Sequence, residues 1–311
     1  MSLKILLTST SFQDTPGLHH KLLENTGYKI SKLRGPLEEK VMISVIDQFD
    51  AIICGDDEIT KAVIKKGFNS RLKVISKYGS GLDKIDLDAA EEYNIPVTNC
   101  PAINQTTVAE HVFALLLSYV KNIIPEHQYV QQTRWKRLIG NDICGKTIGV
   151  MGTGNVGKEV IKRALAFGMK ILAFDKYPDY EFSSQYDITY AISKEQIYQK
   201  SDIITLHMYL NDESRHIINK KAISLMKKGV IIVNTARAEL VKQKYILAEI
   251  ESGKIGGYLT DVLEKEPIEE KHPYLNNPKI LITPHIGSRT LENVVKQGTM
   301  AVKNLINQLS L

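Results

Sequence analysis

Cysteine is scarce in this chain. Its 311 residues include three, Cys54, Cys100 and Cys144, odd in number and far apart. That argues against a disulfide framework and against a zinc site, so no metal is expected and a reducing cytosol is the expected location. Long apolar runs are also missing. None approaches the roughly 20 residues that span a bilayer, so no membrane partner is expected. The opening "MSLKILLTSTSF" carries one lysine and too short an apolar stretch for a signal peptide, and it reads instead as a first β-strand. No basic block occurs. The formal charge is +5, with Lys and Arg scattered, which argues against a nucleic-acid partner. So mild a positive field collects anionic substrates only weakly at physiological salt. Repeats and low-complexity segments are absent.

What remains is ordinary globular composition, 43% hydrophobic and 24% charged. At roughly 100–200 residues per domain, the length predicts two domains. Short β-branched apolar runs alternate with amphipathic stretches. A first series comprises "KILLTS" at 4–9, "DAIICG" at 50–55, "LKVISK" at 72–77 and "IPVTN" at 95–99. A second comprises "TIGVMG" at 147–152, "KILAFD" at 170–175, "DIITLH" at 202–207, "GVIIVN" at 229–234, "GGYLTD" at 256–261 and "KILITP" at 279–284. Strands apolar on both faces and separated by helices predict parallel sheets in an α/β, doubly wound architecture. The apolar stretch "TTVAEHVFALLLSYVKNI" at 106–123 predicts a largely buried helix between the two series. A last helix, about 289–309, follows the second series. The expected organisation is therefore a discontinuous substrate domain, 1–100 with 286–311, interrupted by a dinucleotide-binding domain at 101–285. The cleft between the domains is the expected ligand site.

"TIGVMGTGNVGKEVIKRALAFGMKILAFDK" reads as strand, glycine turn, helix, strand. Gly152 permits the tight turn, Gly154 lets backbone approach a pyrophosphate, and Gly157 lets the helix pack on the strand. The helix amides that begin with Asn155, Val156 and Gly157 then face the anion, aided by the helix dipole. Asp175 stands 18 residues beyond Gly157, at the end of the next strand. A carboxylate there accepts from a ribose 2′-OH and repels a 2′-phosphate, which predicts NAD rather than NADP. Lys176, next in sequence, is the one feature that would tolerate the phosphate.

Three further stretches follow strands of the second series: "VNTARAELV" with Arg237, "TDVLEKEP" with Asp261 and Glu266, and "LITPHIGS" with His285. In an open parallel sheet the carboxyl ends of strands face the ligand crevice, so these three loops converge. Each side chain alone has a bland reading, as a surface arginine, a solvated acid or a loop histidine. Together they suit reduction of a 2-keto acid. His supplies a proton near neutral pH, Glu stabilises its charged form, and Arg offers a planar fork to a carboxylate.

The motifs "MGTGNVG", "VNTARAELV", "DVLEKEP" and "TPHIGS", with "KYGSGLDKID" and "TTVAEHVFALLLS" upstream, resemble the D-isomer-specific 2-hydroxyacid dehydrogenases, phosphoglycerate dehydrogenase among them. The likeness runs from about 45 to 305, in the family's order. It implies a Rossmann NAD-binding domain inserted into a flavodoxin-like substrate domain, and an NAD-dependent oxidoreductase that interconverts a 2-keto acid and a D-2-hydroxy acid. The family's catalytic arginine, glutamate and acid/base histidine fall on Arg237, Glu266 and His285, and its nicotinamide-amide acceptor falls on Asp261. Tyr78, Ser80, Gly81 and Asn104 match positions that bind substrate, as Arg237 also does; the amides around Ser80 form a small anion nest. Thr107, His207, Asn234, Thr235 and Gly287 match positions around the cofactor. The resemblance further implies a homodimer built partly on 102–140, whose apolar helix would otherwise be too exposed. Trp135 matches a recurrent family tryptophan and is expected simply to pack.

The sequence also departs from the family. Tyr209 stands where a proline usually follows the strand, and Ala238 where the family has glycine after its arginine. Cys54, followed by Asp56 and Asp57, stands where phosphoglycerate dehydrogenases carry a phosphate-binding arginine, which argues against that substrate unless Lys77 or Arg34 compensates. No C-terminal regulatory domain is expected. The alternative function is an NADH-sensing binding protein resembling the C-terminal-binding-protein corepressors. A dehydrogenase of another acid, such as phosphite or formate, is a further one.

Overall fold

A computed structural model describes residues 2–310. The chain forms two compact units. One holds the residues up to Asn104 and those from Arg289 onward; the other is Gln105–Ser288. The first boundary falls where the helix Gln105–Val120 begins, a few residues later than the expected 100/101.

In the first unit, β1 (Lys4–Leu7), β2 (Lys29–Lys32), β3 (Ala51–Cys54), β4 (Val74–Lys77) and β5 (Val97–Thr98) form a parallel sheet in the order β2-β1-β3-β4-β5. This is the flavodoxin-like order. Alternate residues serve opposite faces: Leu6, Ile52 and Ile75 enter one core, while Ile5, Leu7, Ile53 and Val74 enter the other. The C-terminal helix Leu291–Leu309 supplies Val294, Ala301, Val302 and Leu305 to the second of these cores. The chain's end therefore completes the sheet that its beginning starts.

In the second unit, β6 (Thr147–Met151), β7 (Lys170–Phe174), β8 (Thr189–Tyr190), β9 (Ile203–Leu206), β10 (Val230–Asn234), β11 (Ile255–Thr260) and β12 (Ile280–Ile282) form a parallel sheet. The order is β12-β11-β10-β9-β6-β7-β8. Topology reverses between β6 and β9, so the crevice at their carboxyl ends is the predicted dinucleotide site. One face packs Ile204, Leu206 and Ile232; the other packs Ile148, Val150, Ile203 and Val233.

The helix Gln105–Val120 was expected to be largely buried. It buries Val108, Ala109, Val112, Phe113, Leu115, Leu116 and Val120 but leaves Glu110 and Ala114 exposed. Within its own unit it packs on β10, β11 and the helix Asn155–Ala166. Among the described residues, no single helix is long and apolar enough to cross a membrane.

Candidate active site

The nucleotide loop is built as the glycine pattern requires, and each glycine has a separate reason. Gly152 has φ of +93°, and a Cβ there would lie 2.7 Å from the His207 carbonyl. A Cβ on Gly157 would lie 2.0 Å from the Gly152 carbonyl oxygen, so only glycine lets this helix approach. Around Gly154 a Cβ would meet nothing within 4 Å. Gly154 therefore answers to no packing need of the chain, and the open space beside it fits an approaching pyrophosphate. The helix Asn155–Ala166 starts there without a side-chain cap, so no side chain competes for its first amides.

Asp175 closes the far side of this loop. Its Oδ2 accepts from the Thr153 amide at 2.6 Å and its Oδ1 from the Tyr177 amide at 2.9 Å. Lys176, which would have tolerated a 2′-phosphate, is turned to Glu213 at 2.7 Å. On the neighbouring strand, the His207 amide donates to the Met151 carbonyl at 2.7 Å. Its ring lies 2.8 Å from Thr205 Oγ1, and burial pushes its pKa down to about 3, so it is neutral at physiological pH. Thr235 Oγ1 is buried and has no hydrogen-bond partner among the described residues. A buried hydroxyl without a partner carries a desolvation cost that a bound ligand would relieve. These features fit NAD.

The three loops after β10, β11 and β12 carry the expected trio. Asn234 caps the first loop: its Nδ2 donates to the Arg237 carbonyl at 2.8 Å, and its Oδ1 accepts from the Ala236 amide at 3.1 Å. Ala238, the departure from glycine, is 2% exposed, so its methyl group packs inside instead of lining a pocket. In the second loop Glu266 Oε1 accepts from the Leu263 amide at 2.9 Å, and Oε2 meets His285 Nδ1 at 2.8 Å. The Glu–His pair is thus formed. His285 sits at φ +54°, a conformation uncommon for a residue with a Cβ, directly after Pro284.

Asp261 lies under this turn and is 2% exposed. It accepts from Thr283 Oγ1 at 2.6 Å, the Ile286 amide at 2.9 Å and the Gly287 amide at 2.7 Å. His111 Nε2 stands 2.9 Å from Thr283 Oγ1 and 3.4 Å from Asp261 Oδ1. Burial works against the Asp261 charge, but the bonds from His111, Thr283 and the Ile286 amide outweigh it and hold the carboxyl below its usual range. A Cβ on Gly287 would press on Asp261 Oδ2 at 2.9 Å. Neither His111 nor Thr283 was among the expected site residues, although both lie inside the quoted motifs. A polar ring on an otherwise apolar helix stretch was the available signal.

Apart from Arg237, the residues expected to bind substrate lie in the other unit. Gly79 has φ of +126° in the turn after β4. The Gly79 carbonyl accepts from the Cys100 amide at 2.8 Å, and the Ser80 carbonyl from Asn99 Nδ2 at 2.8 Å. Both carbonyls are therefore occupied, while the Ser80 and Gly81 amides donate to no group among the described residues. Tyr78 is buried beside them, its hydroxyl pKa raised by burial. Lys77 is buried too, held by the Gly55 carbonyl at 2.5 Å and Asp56 at 2.7 Å. Arg34 is paired with Asp14, which also takes Arg289 at 2.8 Å. Asn104, the last residue of the first unit's leading segment, and Thr107, in the second unit, are half-buried, and neither has a side-chain hydrogen bond among the described residues. Trp135 is a correction: it was expected to pack and is 78% exposed.

A family model described as D-isomer specific 2-hydroxyacid dehydrogenase, NAD binding domain, matches residues 113–287. The chain belongs to this family. A hydroxypyruvate reductase of Thermotoga maritima is 36% identical over 281 residues, which cover 88% of this chain and 90% of that one. A D-3-phosphoglycerate dehydrogenase of Methanocaldococcus jannaschii is 34% identical over 97% of this chain and 56% of its own length. Among solved structures, the TT0316 protein of Thermus thermophilus superposes with a TM-score of 0.88 at 30% identity, over 99% of this chain and 97% of that one. The chain is accordingly an NAD-dependent 2-hydroxyacid dehydrogenase, and these relatives give the corepressor alternative no support.

Proposed function

We propose that this enzyme reduces a small, unphosphorylated 2-keto acid to the D-2-hydroxy acid, with His285 as the acid/base. The observation that carries the reading is the 2.8 Å pairing of His285 Nδ1 with Glu266 Oε2, on loops that follow adjacent strands. NADH, when bound, supplies the hydride that reaches C2. Because Nδ1 is engaged by Glu266, the proton delivered to the C2 oxygen is the one on Nε2. Glu266 favours the imidazolium before transfer and fixes the ring plane throughout. Arg237, on a loop stiffened by Asn234, holds the carboxylate and polarises the carbonyl. In the first unit, the amides of Ser80 and Gly81, which donate to no group among the described residues, form that unit's own candidate anion nest. Thr107, His207, Thr235 and Gly287 serve the cofactor.

The absence of phosphate from the substrate is supported by the fate of the two candidate cations. Lys77 is paired with Asp56 and also donates to the Gly55 carbonyl, and Arg34 is paired with Asp14. The Thermotoga relative, named for hydroxypyruvate, suits this reading. We further propose a homodimer formed through 123–139 and a cytosolic location, the latter supported by Cys144, an exposed free thiol.

The test is NADH oxidation with glyoxylate, hydroxypyruvate, pyruvate, 2-oxoglutarate and phosphohydroxypyruvate, run beside His285→Ala. Turnover of an unphosphorylated acid is expected, falling at least roughly 10²–10⁴-fold in the variant. An unchanged kcat removes His285 from the mechanism, and a preference for phosphohydroxypyruvate removes the substrate assignment.

A further inference from the structure

The acid/base assignment leaves open what holds His285 in an uncommon backbone conformation. A residue with a Cβ at φ +54° costs on the order of 1–3 kcal/mol and persists only where its surroundings over-determine it. Its own amide donates to the Thr283 carbonyl at 3.0 Å, which closes a tight turn over Pro284. That bond ties His285 to the near flank of the turn. The other flank, Ile286 and Gly287, is fixed by two amide bonds to Asp261. Thr283 ties the near flank to the same carboxylate.

The direction of the protons then follows. Asp261, its carboxyl held ionised, can only accept. Thr283 therefore spends its single hydroxyl hydrogen on Asp261 Oδ1. The 2.9 Å contact from His111 Nε2 to Thr283 Oγ1 must be donated by the histidine, which places a proton on Nε2. The remaining contact, 3.4 Å to Asp261 Oδ1, points the same N–H toward the carboxylate. His111 Cδ2 also lies 3.5 Å from where a Gly287 Cβ would stand, so the ring covers the far flank of the turn. The carrier of this ring is the helix Gln105–Val120, anchored through Ala109, Val112, Phe113 and Leu116. A rigid element is thereby linked to the turn that bears the acid/base.

We infer that His111 is a positioning residue for His285, acting by donation through Thr283 to Asp261. The inference rests on His285 being the acid/base. His111 touches neither flank's reacting group; it sets the turn from which the His285–Glu266 pair is presented. Misplacement of a catalytic group by about 1 Å can cost on the order of 10²-fold in rate.

The experiment compares His111→Leu, His111→Gln and Thr283→Val with His285→Ala in the full chain. For each variant it reads kcat, KM for the best keto acid, NADH affinity by fluorescence titration, and melting temperature. His111→Leu removes the donor at similar volume, while Gln keeps an Nε2 donor at similar reach. Expected are a fall in kcat of about 10–100-fold in His111→Leu and in Thr283→Val, NADH affinity and KM within about twofold of wild type, and recovery of most of kcat in His111→Gln. Wild-type kcat in His111→Leu overturns the inference while a dead His285→Ala keeps the acid/base. Equal losses in Leu and Gln, joined to weaker NADH binding, also overturn it, since they indicate a packing role. If His111→Leu does not fold, Thr283→Val decides: unchanged kcat there overturns the inference. An active His285→Ala sinks both the acid/base assignment and the inference built on it.

Discussion

Asp175 and His207 sit at the ends of neighbouring parts of the same sheet, and the surroundings of each set its response. The Asp175 carboxylate is held by two backbone amides, and Lys176 is drawn off to Glu213. Negative charge is therefore fixed where a 2′-phosphate would lie. Asp175→Ser should raise kcat/KM for NADPH relative to NADH by about tenfold or more, a preference change of roughly 1.4 kcal/mol. If that ratio fails to move, Asp175 does not select the cofactor. His207 titrates in the opposite sense from a paired histidine. Its folded pKa, about 3, lies below the ordinary 6.5, so on acidification the unfolded chain takes up a proton that the folded chain refuses. Its effect is absent above about pH 6.5 and grows as pH falls toward 3. Denaturant midpoints at pH 7 and pH 5 should therefore lie closer together in His207→Gln than in wild type; an equal or wider gap contradicts the assigned burial. Which residues carry the chemistry was readable because strand-end loops converge in any open parallel sheet. The φ of +54° at His285 was not readable, since no residue type announces it. Neither was the link to His111, which joins positions 172 residues apart.

The elements repeat this contrast. Strands in parallel sheets announce themselves as apolar runs: β1, β3, β4, β5, β6, β7, β9, β10 and β12 fall within predicted runs, and β11 begins one residue before its run. The strands that the pattern missed, β2 and β8, lie at sheet edges. "KISK" in β2 is mostly exposed, and β8 is two residues long, so neither needs an apolar sequence. The nucleotide turn was legible because three glycines in strand–turn–helix context serve one geometry. Their separate reasons make a prediction at this scale. Gly157→Ala forces a Cβ to 2.0 Å from backbone oxygen, so the helix must move; stability should fall by about 1–3 kcal/mol, with NADH affinity falling as well. Gly154→Ala meets nothing in the chain, so stability should stay within about 0.5 kcal/mol while NADH affinity drops at least tenfold. Calorimetric melting and NADH titration of both variants separate the cases. Unimpaired NADH binding in Gly154→Ala would show that no ligand backbone approaches there.

At the scale of the molecule, the unexpected feature is the apolar surface that follows the helix Gln105–Val120. Ile123 and Val130 are about half exposed, Trp135 is 78% exposed and Ile139 is 96% exposed. Scattered exposed apolar residues are normal, but here they recur along one segment of 17 residues, and one of them is the chain's single tryptophan. The sequence reading expected apolar exposure within 102–140 but placed it on the helix, which is instead largely buried; the exposed residues follow it, because exposure depends on what a segment leaves uncovered and not on its own periodicity. A second copy of the chain is the proposed cover, and the lone tryptophan makes the proposal directly measurable. Light scattering at micromolar concentration should give twice the 35.0 kDa chain mass, and Trp135 emission should lie to the blue of the denatured protein. Ile139→Asp places a charge in the same patch, and a buried unpaired charge strongly opposes association. It should yield the chain mass, with Trp135 emission shifted to the red. A wild-type monomer contradicts the dimer outright. A dimer in which Trp135 already emits at its water-exposed wavelength, and in which Ile139→Asp leaves the mass unchanged, would move the interface away from 123–139.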